Sequence, residues 1–140
     1  MRKTVYETNF DRLVKLGVFV DGHEDDARKS AASSLMDLTV ERRQHMDGLG
    51  PKKGLVYSLA HTFIQNGDLC MDPAMDVIVY PESNMVEALT FEMSLPPVYQ
   101  VVYPEPGRYF PKLKSELNSF LRQWLNNLLD QGHGKHWEAY

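Results

Sequence analysis

The chain contains a single cysteine, Cys70, so it cannot form an internal disulfide. Such scarcity is typical of proteins that work in a reducing compartment. Residues 1–10 lack the apolar core of a signal peptide. No apolar run approaches the roughly 18 residues that a membrane-spanning helix needs. We therefore predict a cytoplasmic protein that does not enter the membrane.

The motifs of common catalytic and metal sites are also missing. The sequence has no Gly-x-Ser-x-Gly elbow, no His-Glu-x-x-His run and no phosphate-binding loop ending in Gly-Lys-Ser/Thr. His133 and His136 stand three residues apart, but a zinc site needs three or four ligands and no further Cys or His pair supplies them. These absences favour binding over catalysis, and we expect no catalytic residues, no cofactor and no metal.

Acidic residues outnumber basic residues by 19 to 15, which gives a formal net charge of −4. Surfaces that bind nucleic acid are usually basic, so this balance argues against a nucleic-acid partner. Hydrophobic residues make up 43% of the 140 residues and charged residues 24%. These proportions are typical of a globular chain rather than a disordered one. We expect a single domain over residues 1–140.

The first periodic segment predicts a short helix over residues 8–16. Thr8 and Asp11 have the spacing of a capping box, and Gly17 is placed to end the helix. The polar residues 21–34 follow, and they are rich in Asp, Ser and Ala. We interpret them as a mobile surface loop or a short polar helix.

Further along the chain, the hydrophobic period changes to two, which is typical of strands with one buried face. Asn66-Gly67 predicts a tight hairpin, because both residues tolerate positive φ. Residues 55–65 are apolar on both faces, which predicts a central strand. The full set of predicted strands covers residues 35–41, 55–65, 75–80, 85–93 and 98–103.

The last predicted element is a long amphipathic helix that begins at Pro111. Leucines and aromatic residues recur at spacings of three and four as far as Leu129, and Gly132 is placed to cap the end. Short connections between the strands favour antiparallel pairing. We predict an α+β fold with an antiparallel sheet of four to five strands. The short N-terminal helix and the long C-terminal helix pack on one face, and residues 133–140 are mobile.

The first candidate binding residues are Tyr99, Tyr103 and Tyr109, which lie in a proline-rich segment. Tyrosine is favoured at protein interfaces, because it combines a large contact area with few rotatable bonds. Prolines keep such a segment stiff. The segment is therefore either a binding surface or the packed crossover from the sheet to the last helix.

The second candidate is His61, on the central strand. It is placed to face Cys70 across the hairpin, where a base could activate the thiol. It is also placed to join carboxylates such as Asp37, Glu41 and Asp76 in a polar cleft on an exposed face of the sheet. The alternative is an ordinary buried histidine of the core.

Three stretches of the sequence resemble known families. Residues 58–69, Ser-Leu-Ala-His-Thr-Phe-Ile-Gln-Asn-Gly-Asp-Leu, and residues 98–103, Val-Tyr-Gln-Val-Val-Tyr, resemble a domain-of-unknown-function family from bacteria, phages and mobile elements. Residues 116–125, Glu-Leu-Asn-Ser-Phe-Leu-Arg-Gln-Trp-Leu, resemble that family and also the YqiB-like family of small bacterial proteins. The resemblance covers roughly residues 35–132. It implies an α+β domain of prokaryotic or phage origin, and it supplies no activity or site.

We predict a non-enzymatic protein-interaction module. If the chain comes from a phage or mobile element, the partner would be a host defence complex, where an acidic surface can mimic nucleic acid. The alternative is a small-molecule or nucleotide-binding domain, or an enzyme, that uses His61 and nearby carboxylates. A homodimer that pairs through a sheet edge or the Tyr/Pro segment is a third hypothesis.

Overall fold

The two helices that the structure describes pack on one face of an antiparallel sheet. The computed structural model describes residues 2–19, 27–31 and 36–139. The helices are α1 (Val5–Leu16) and α2 (Pro111–Asp130). The strands are β1 (Ala27–Ser30), β2 (Leu38–Arg42), β3 (Leu55–Gln65), β4 (Asp68–Tyr80), β5 (Met85–Ala88), β6 (Thr90–Met93), β7 (Val98–Val101) and β8 (Trp137–Ala139).

The α+β class and the antiparallel sheet are confirmed, but the predicted number of four to five strands is wrong. The described residues form eight strands in the order β7-β6-β4-β3-β2-β1-β8, and β5 pairs with the C-terminal half of β4. The predicted fourth strand is interrupted at Leu89, whose N–H donates to Asp76 O at 2.8 Å. The two parts, β5 and β6, therefore pair with different stretches of β4.

The β3–β4 hairpin forms the centre of the sheet. β3 has the predicted bounds, and its central position is confirmed. Asn66 and Gly67 have φ of +53° and +83°, the left-handed conformation that a tight hairpin turn requires. β4 begins at Asp68, earlier than predicted, because the ladder continues directly from the turn.

Helix α1 begins one turn earlier than predicted. Thr4 and Glu7 form the capping box: Glu7 N donates to Thr4 Oγ1 at 3.3 Å, and Thr4 N donates to Glu7 Oε1 at 3.0 Å. The predicted cap at Thr8 is therefore wrong, since Thr8 already lies inside the helix. Gly17 ends the helix as predicted, with φ of +88°.

Helix α2 presents its apolar stripe to the sheet and to α1. Burying one leucine side chain contributes about 1.5–3 kcal/mol, so the stripe fixes the helix in place. The predicted cap at Gly132 is confirmed: its φ is +91°, and the N–H groups of Gly132 and His133 donate to the carbonyls of Leu129 and Leu128. Among the described residues, no helix has both the length and the apolar character to cross a membrane.

Two segments that were predicted to be mobile contribute strands. Ala27–Ser30 forms β1, while residues 21–26 and 32–34 lie outside the described part of the chain. In the C-terminal tail, Trp137–Ala139 forms β8. Trp137 Nε1 donates to Leu16 O at 3.2 Å, and the Arg28 guanidinium lies 4.8 Å from the Trp137 ring. Contacts between residues distant in sequence therefore secure both strands.

Removing the cap oxygen tests where α1 begins. We expect Thr4→Ala to lower the free energy of unfolding by about 1 kcal/mol, because the Glu7 N–H loses its acceptor. The matched control, Thr8→Ala, removes a hydroxyl from the helix interior and should leave stability unchanged or slightly raised. Urea denaturation followed by circular dichroism measures both variants. Equal losses in the two would contradict the assigned cap.

Candidate functional site

The candidate site is the sheet face that points away from the helices. Side chains alternate between the two faces of a strand, so those on the uncovered face form rows across the sheet. Strand pairing aligns one row as Ala27, Glu41, Ser58 and Asp76. A second row runs through Lys29, Thr39, Ala60, Ala74, Glu92 and Tyr99.

Small side chains form the floor of this face. Thr39, Ala60 and Ala74 stand in the middle of the second row, where larger residues would fill the surface. They leave a groove of about 410 Å³, which we call the open-face groove. Its size falls within the roughly 300–1,000 Å³ typical of ligand sites.

A loop over residues 43–54 closes one end of the open-face groove. Met46 of this loop lines the groove and packs on the small apolar cluster around Ile78. Asp47 holds the loop, since it accepts from both terminal nitrogens of Arg42 at 2.7 and 2.8 Å and from Val56 N at 2.9 Å. Burial favours a higher pKa for Asp47, but these donors outweigh it and hold the pKa below its ordinary value.

Three carboxylates line the groove, those of Glu41, Asp76 and Glu92. Arg43 pairs with Glu41 at 2.8 Å, and the Ser58 hydroxyl donates to Asp76. Tyr99 lies directly opposite Glu92. Partial burial raises the pKa of Tyr99, and the charges of Asp76 and Glu92 raise it further. The Tyr99 hydroxyl is therefore a hydrogen-bond donor at the acidic part of the groove.

Apolar side chains surround the other end of the groove. Leu69 and Met71 line it, and Ile64 pairs with Leu69 across the hairpin. Ile64 and Leu69 are 68% and 59% exposed. The turn between β6 and β7 lies beside them, because Ser94 N donates to Met71 O at 3.0 Å and Met71 N donates to Ser94 Oγ at 2.8 Å. The groove thus joins an acidic centre to an exposed apolar end.

The three predicted tyrosines do not form one surface. Tyr99 lines the groove and is 63% exposed. Tyr103 and Tyr109 lie after β7, with their rings 5.9 Å apart. The Lys114 ammonium lies 5.3 Å from the Tyr109 ring, 5.7 Å from the Tyr6 ring and 5.9 Å from the Tyr103 ring. The rings of Tyr6, Tyr103 and Tyr109 therefore contact the ammonium of Lys114, a cation of the same chain.

A buried carboxylate completes this cluster, which we call the Lys114 cage. Glu87 is 5% exposed, and its Oε1 lies 3.1 Å from Lys114 Nζ. The Tyr103 hydroxyl donates to the same carboxylate. Burial and this bond raise the pKa of Tyr103, which keeps the hydroxyl protonated. Tyr103 and Tyr109 thus fit the packed-crossover interpretation, and Tyr99 is the one of the three that lines the groove.

His61 is buried on the helix side of the sheet rather than in the groove. It is 7% exposed, its Nδ1 donates to Asp37 O at 3.1 Å, and its ring lies 5.6 Å from the Trp124 ring of α2. Cys70 pairs with Phe63 in the register that the Asn66-Gly67 turn sets, so His61 does not lie directly across the hairpin from Cys70. This position fits the interpretation of His61 as a core histidine.

The two histidines near the C-terminus have different environments. His133 is 2% exposed, its ring lies 5.7 Å from the His61 ring, and its Nδ1 lies 3.2 Å from Ser30 Oγ. His136 is largely exposed and lies 3.7 Å from Glu138. In the part of the chain that the structure describes, no group of three or more His, Cys, Asp or Glu residues is arranged to hold a metal.

Sequence reasoning identified part of the groove. Glu41 and Asp76 were predicted for a polar cleft on an exposed sheet face, and both line the groove. The floor residues Thr39, Ala60 and Ala74 were missed, because small side chains add little to a hydrophobic pattern. The one signal that marks them is two alanines at facing positions of β3 and β4, which becomes visible only when the register is known.

The comparisons with known proteins identify a family but no function. Residues 9–134 match the family model described as Domain of unknown function (DUF6908). No curated protein and no solved structure matches the chain significantly. The match confirms the predicted likeness to a domain of unknown function. The prokaryotic or phage origin and the YqiB-like resemblance stay predictions.

The buried His133 should make stability depend on pH. Burial and the neighbouring His61 lower the pKa of His133 below its ordinary value of 6.5. The unfolded chain then binds a proton that the folded chain does not, so the free energy of unfolding falls as pH drops below about 6.5. We expect His133→Gln to flatten this dependence.

Thermal or urea unfolding between pH 5 and 8 measures the effect. His136→Gln is the matched control, because it removes an exposed histidine from the same tail and should keep the slope of the unaltered chain. If the stability of His133→Gln depends on pH as strongly as that of the unaltered chain, another group takes up the proton.

Proposed function

The chain belongs to the DUF6908 family, a domain of unknown function, and we propose that it is a non-enzymatic protein-interaction module. The partner docks on the open-face groove. One observation supports this most: the face opposite the helices is concave, is lined by small side chains and ends at exposed apolar residues.

The residues around the groove have the character of interface anchors. Tyr99 presents a large exposed ring, and Ile64 and Leu69 present exposed aliphatic side chains. Tyrosine is among the residues that contribute most to binding energy at interfaces, where a few anchors dominate. Exposed apolar side chains that lie together, beside a groove, are typical of interaction sites.

The alternative of a small-molecule site or an enzyme that uses His61 receives less support. His61 faces α2, whereas the carboxylates Glu41 and Asp76 line the opposite face of the sheet. The histidine and these acids therefore do not share a cleft. If the chain comes from a phage or mobile element, a component of a host defence complex is the partner to test first.

Site-specific photo-crosslinking tests the proposal. We expect p-benzoyl-phenylalanine in place of Tyr99 to give a discrete protein adduct in lysate of the source cells. The same amino acid in place of Phe110, an aromatic residue that is 41% exposed and does not line the groove, is the matched control and should give none. The unlabelled chain should suppress the adduct by competition.

A competitor with a filled groove makes the test specific. Ala74→Phe adds a ring to the groove floor, so this chain should fail to suppress the adduct while its circular dichroism stays unchanged. Equal competition by Ala74→Phe, or adducts at both positions, would contradict docking in the groove. An adduct of the chain with itself would identify a homodimer instead.

A further inference from the structure

The open-face groove carries negative charge that the described residues do not balance. Its lining includes three carboxylates and one guanidinium, that of Arg43. Arg43 is already paired with Glu41 at 2.8 Å. Lys29 is the other cation in the two rows of the uncovered sheet face, and its Nζ lies 3.6 Å from Asp37 Oδ2. Among the described residues, Asp76 and Glu92 therefore have no cation within salt-bridge distance.

Asp76 and Glu92 are close neighbours on the sheet. Glu92 lies opposite Ala74, and Asp76 follows two residues later on the same strand. Such diagonal positions are separated by roughly 7–8 Å. Tyr99, across from Glu92, is affected by both charges, since Asp76 and Glu92 each raise its pKa in addition to burial. A single cationic side chain of another molecule can therefore reach both carboxylates.

The apolar end of the groove adds a second requirement for the molecule that binds there. Leu69 and Met71 line it on the hairpin side of the acidic centre. Met71 lies three residues before Ala74, which is opposite Glu92, and five residues before Asp76, so the apolar end lies roughly 10–16 Å from the acids along β4. In an extended peptide, residues i and i+4 point the same way and stand roughly 13 Å apart, which matches this distance. An extended segment thus places a cation over the acids and an apolar side chain over the hairpin end.

We propose, on the basis of the protein-docking function above, that the groove binds an extended segment of a partner protein in which a lysine or arginine and a large apolar residue stand four residues apart. Charge complementarity selects this occupant, because Asp76 and Glu92 attract a cation and repel phosphate. A nucleic acid would bring its phosphates against these carboxylates, and its binding depends on basic contacts. The partner is therefore a basic protein segment.

Selection from a random peptide library displayed on phage tests this inference with defined probes. We expect peptides selected on the whole immobilised chain to be enriched in lysine or arginine with a large apolar residue four positions away. Amide shifts in NMR spectra on adding a selected peptide should centre on Ala60, Ala74 and Tyr99. Fluorescence anisotropy should show weaker binding at higher salt, because exposed charge pairs are screened.

Matched charge variants identify the carboxylates that matter. Asp76→Asn with Glu92→Gln keeps the shape of the groove and should weaken a selected basic peptide about tenfold. Glu82→Gln with Glu116→Gln removes the same charge from exposed positions outside the groove and should leave affinity nearly unchanged. Circular dichroism confirms that both double variants are folded.

The outcomes separate this inference from the proposed function. Selected peptides that shift Ala60 and Ala74 but lack basic residues, or bind equally to both double variants, would overturn the basic partner and leave groove docking intact. Acidic peptides, or DNA oligonucleotides that bind in the groove, would also overturn it. If no peptide shifts the groove and Tyr99 gives no crosslink, the proposed function fails as well.

Discussion

Asn118 of α2 joins the helical layer to the sheet, and the arrangement of the rest of the molecule depends on it. Its side chain is 1% exposed. Its Oδ1 accepts from Ala88 N of β5 at 2.9 Å, and its main-chain oxygen accepts from Asn9 Nδ2 of α1 at 3.1 Å. Breaking either bond inside the core leaves a buried polar group unpaired, at a cost of about 1–3 kcal/mol. The two helices therefore keep one position on the sheet.

The fixed position of the helices determines the character of the opposite face. Leu59 and Met75 point to the helices and are fully buried in the core. Their neighbours along the strands, Ala60 and Ala74, must then point the other way. Because both alanine side chains are small, the uncovered face of the sheet is concave at its centre. The same alternation therefore builds the core on one side and the groove on the other.

Hydrophobic periodicity and backbone preferences predicted those elements of the fold that local interactions stabilise. The bounds of β3, the Asn66-Gly67 turn and the apolar stripe of α2 all follow from periodicity and backbone preference. Strands β1 and β8 have no apolar alternation, and contacts such as Arg28 with Trp137 join them across more than a hundred residues. Of the groove, sequence reasoning found acidic residues but not the floor, since alanines become neighbours only through the register.

Two buried carboxylates are paired with a lysine or an arginine of the chain, and this pairing distinguishes them from the acids of the candidate site. Glu87 and Asp47 are buried, and Lys114 and Arg42 accompany them. Placing Lys114 beside Glu87 also engages the rings of Tyr103 and Tyr109, so aromatic residues that resemble a binding surface in the sequence serve the fold. A buried carboxylate needs a cationic partner, whereas a carboxylate that water can reach does not. Asp76 and Glu92 line the open-face groove, where no described residue places a cation within salt-bridge distance, so a cation of another molecule can pair with them without displacing one of these residues.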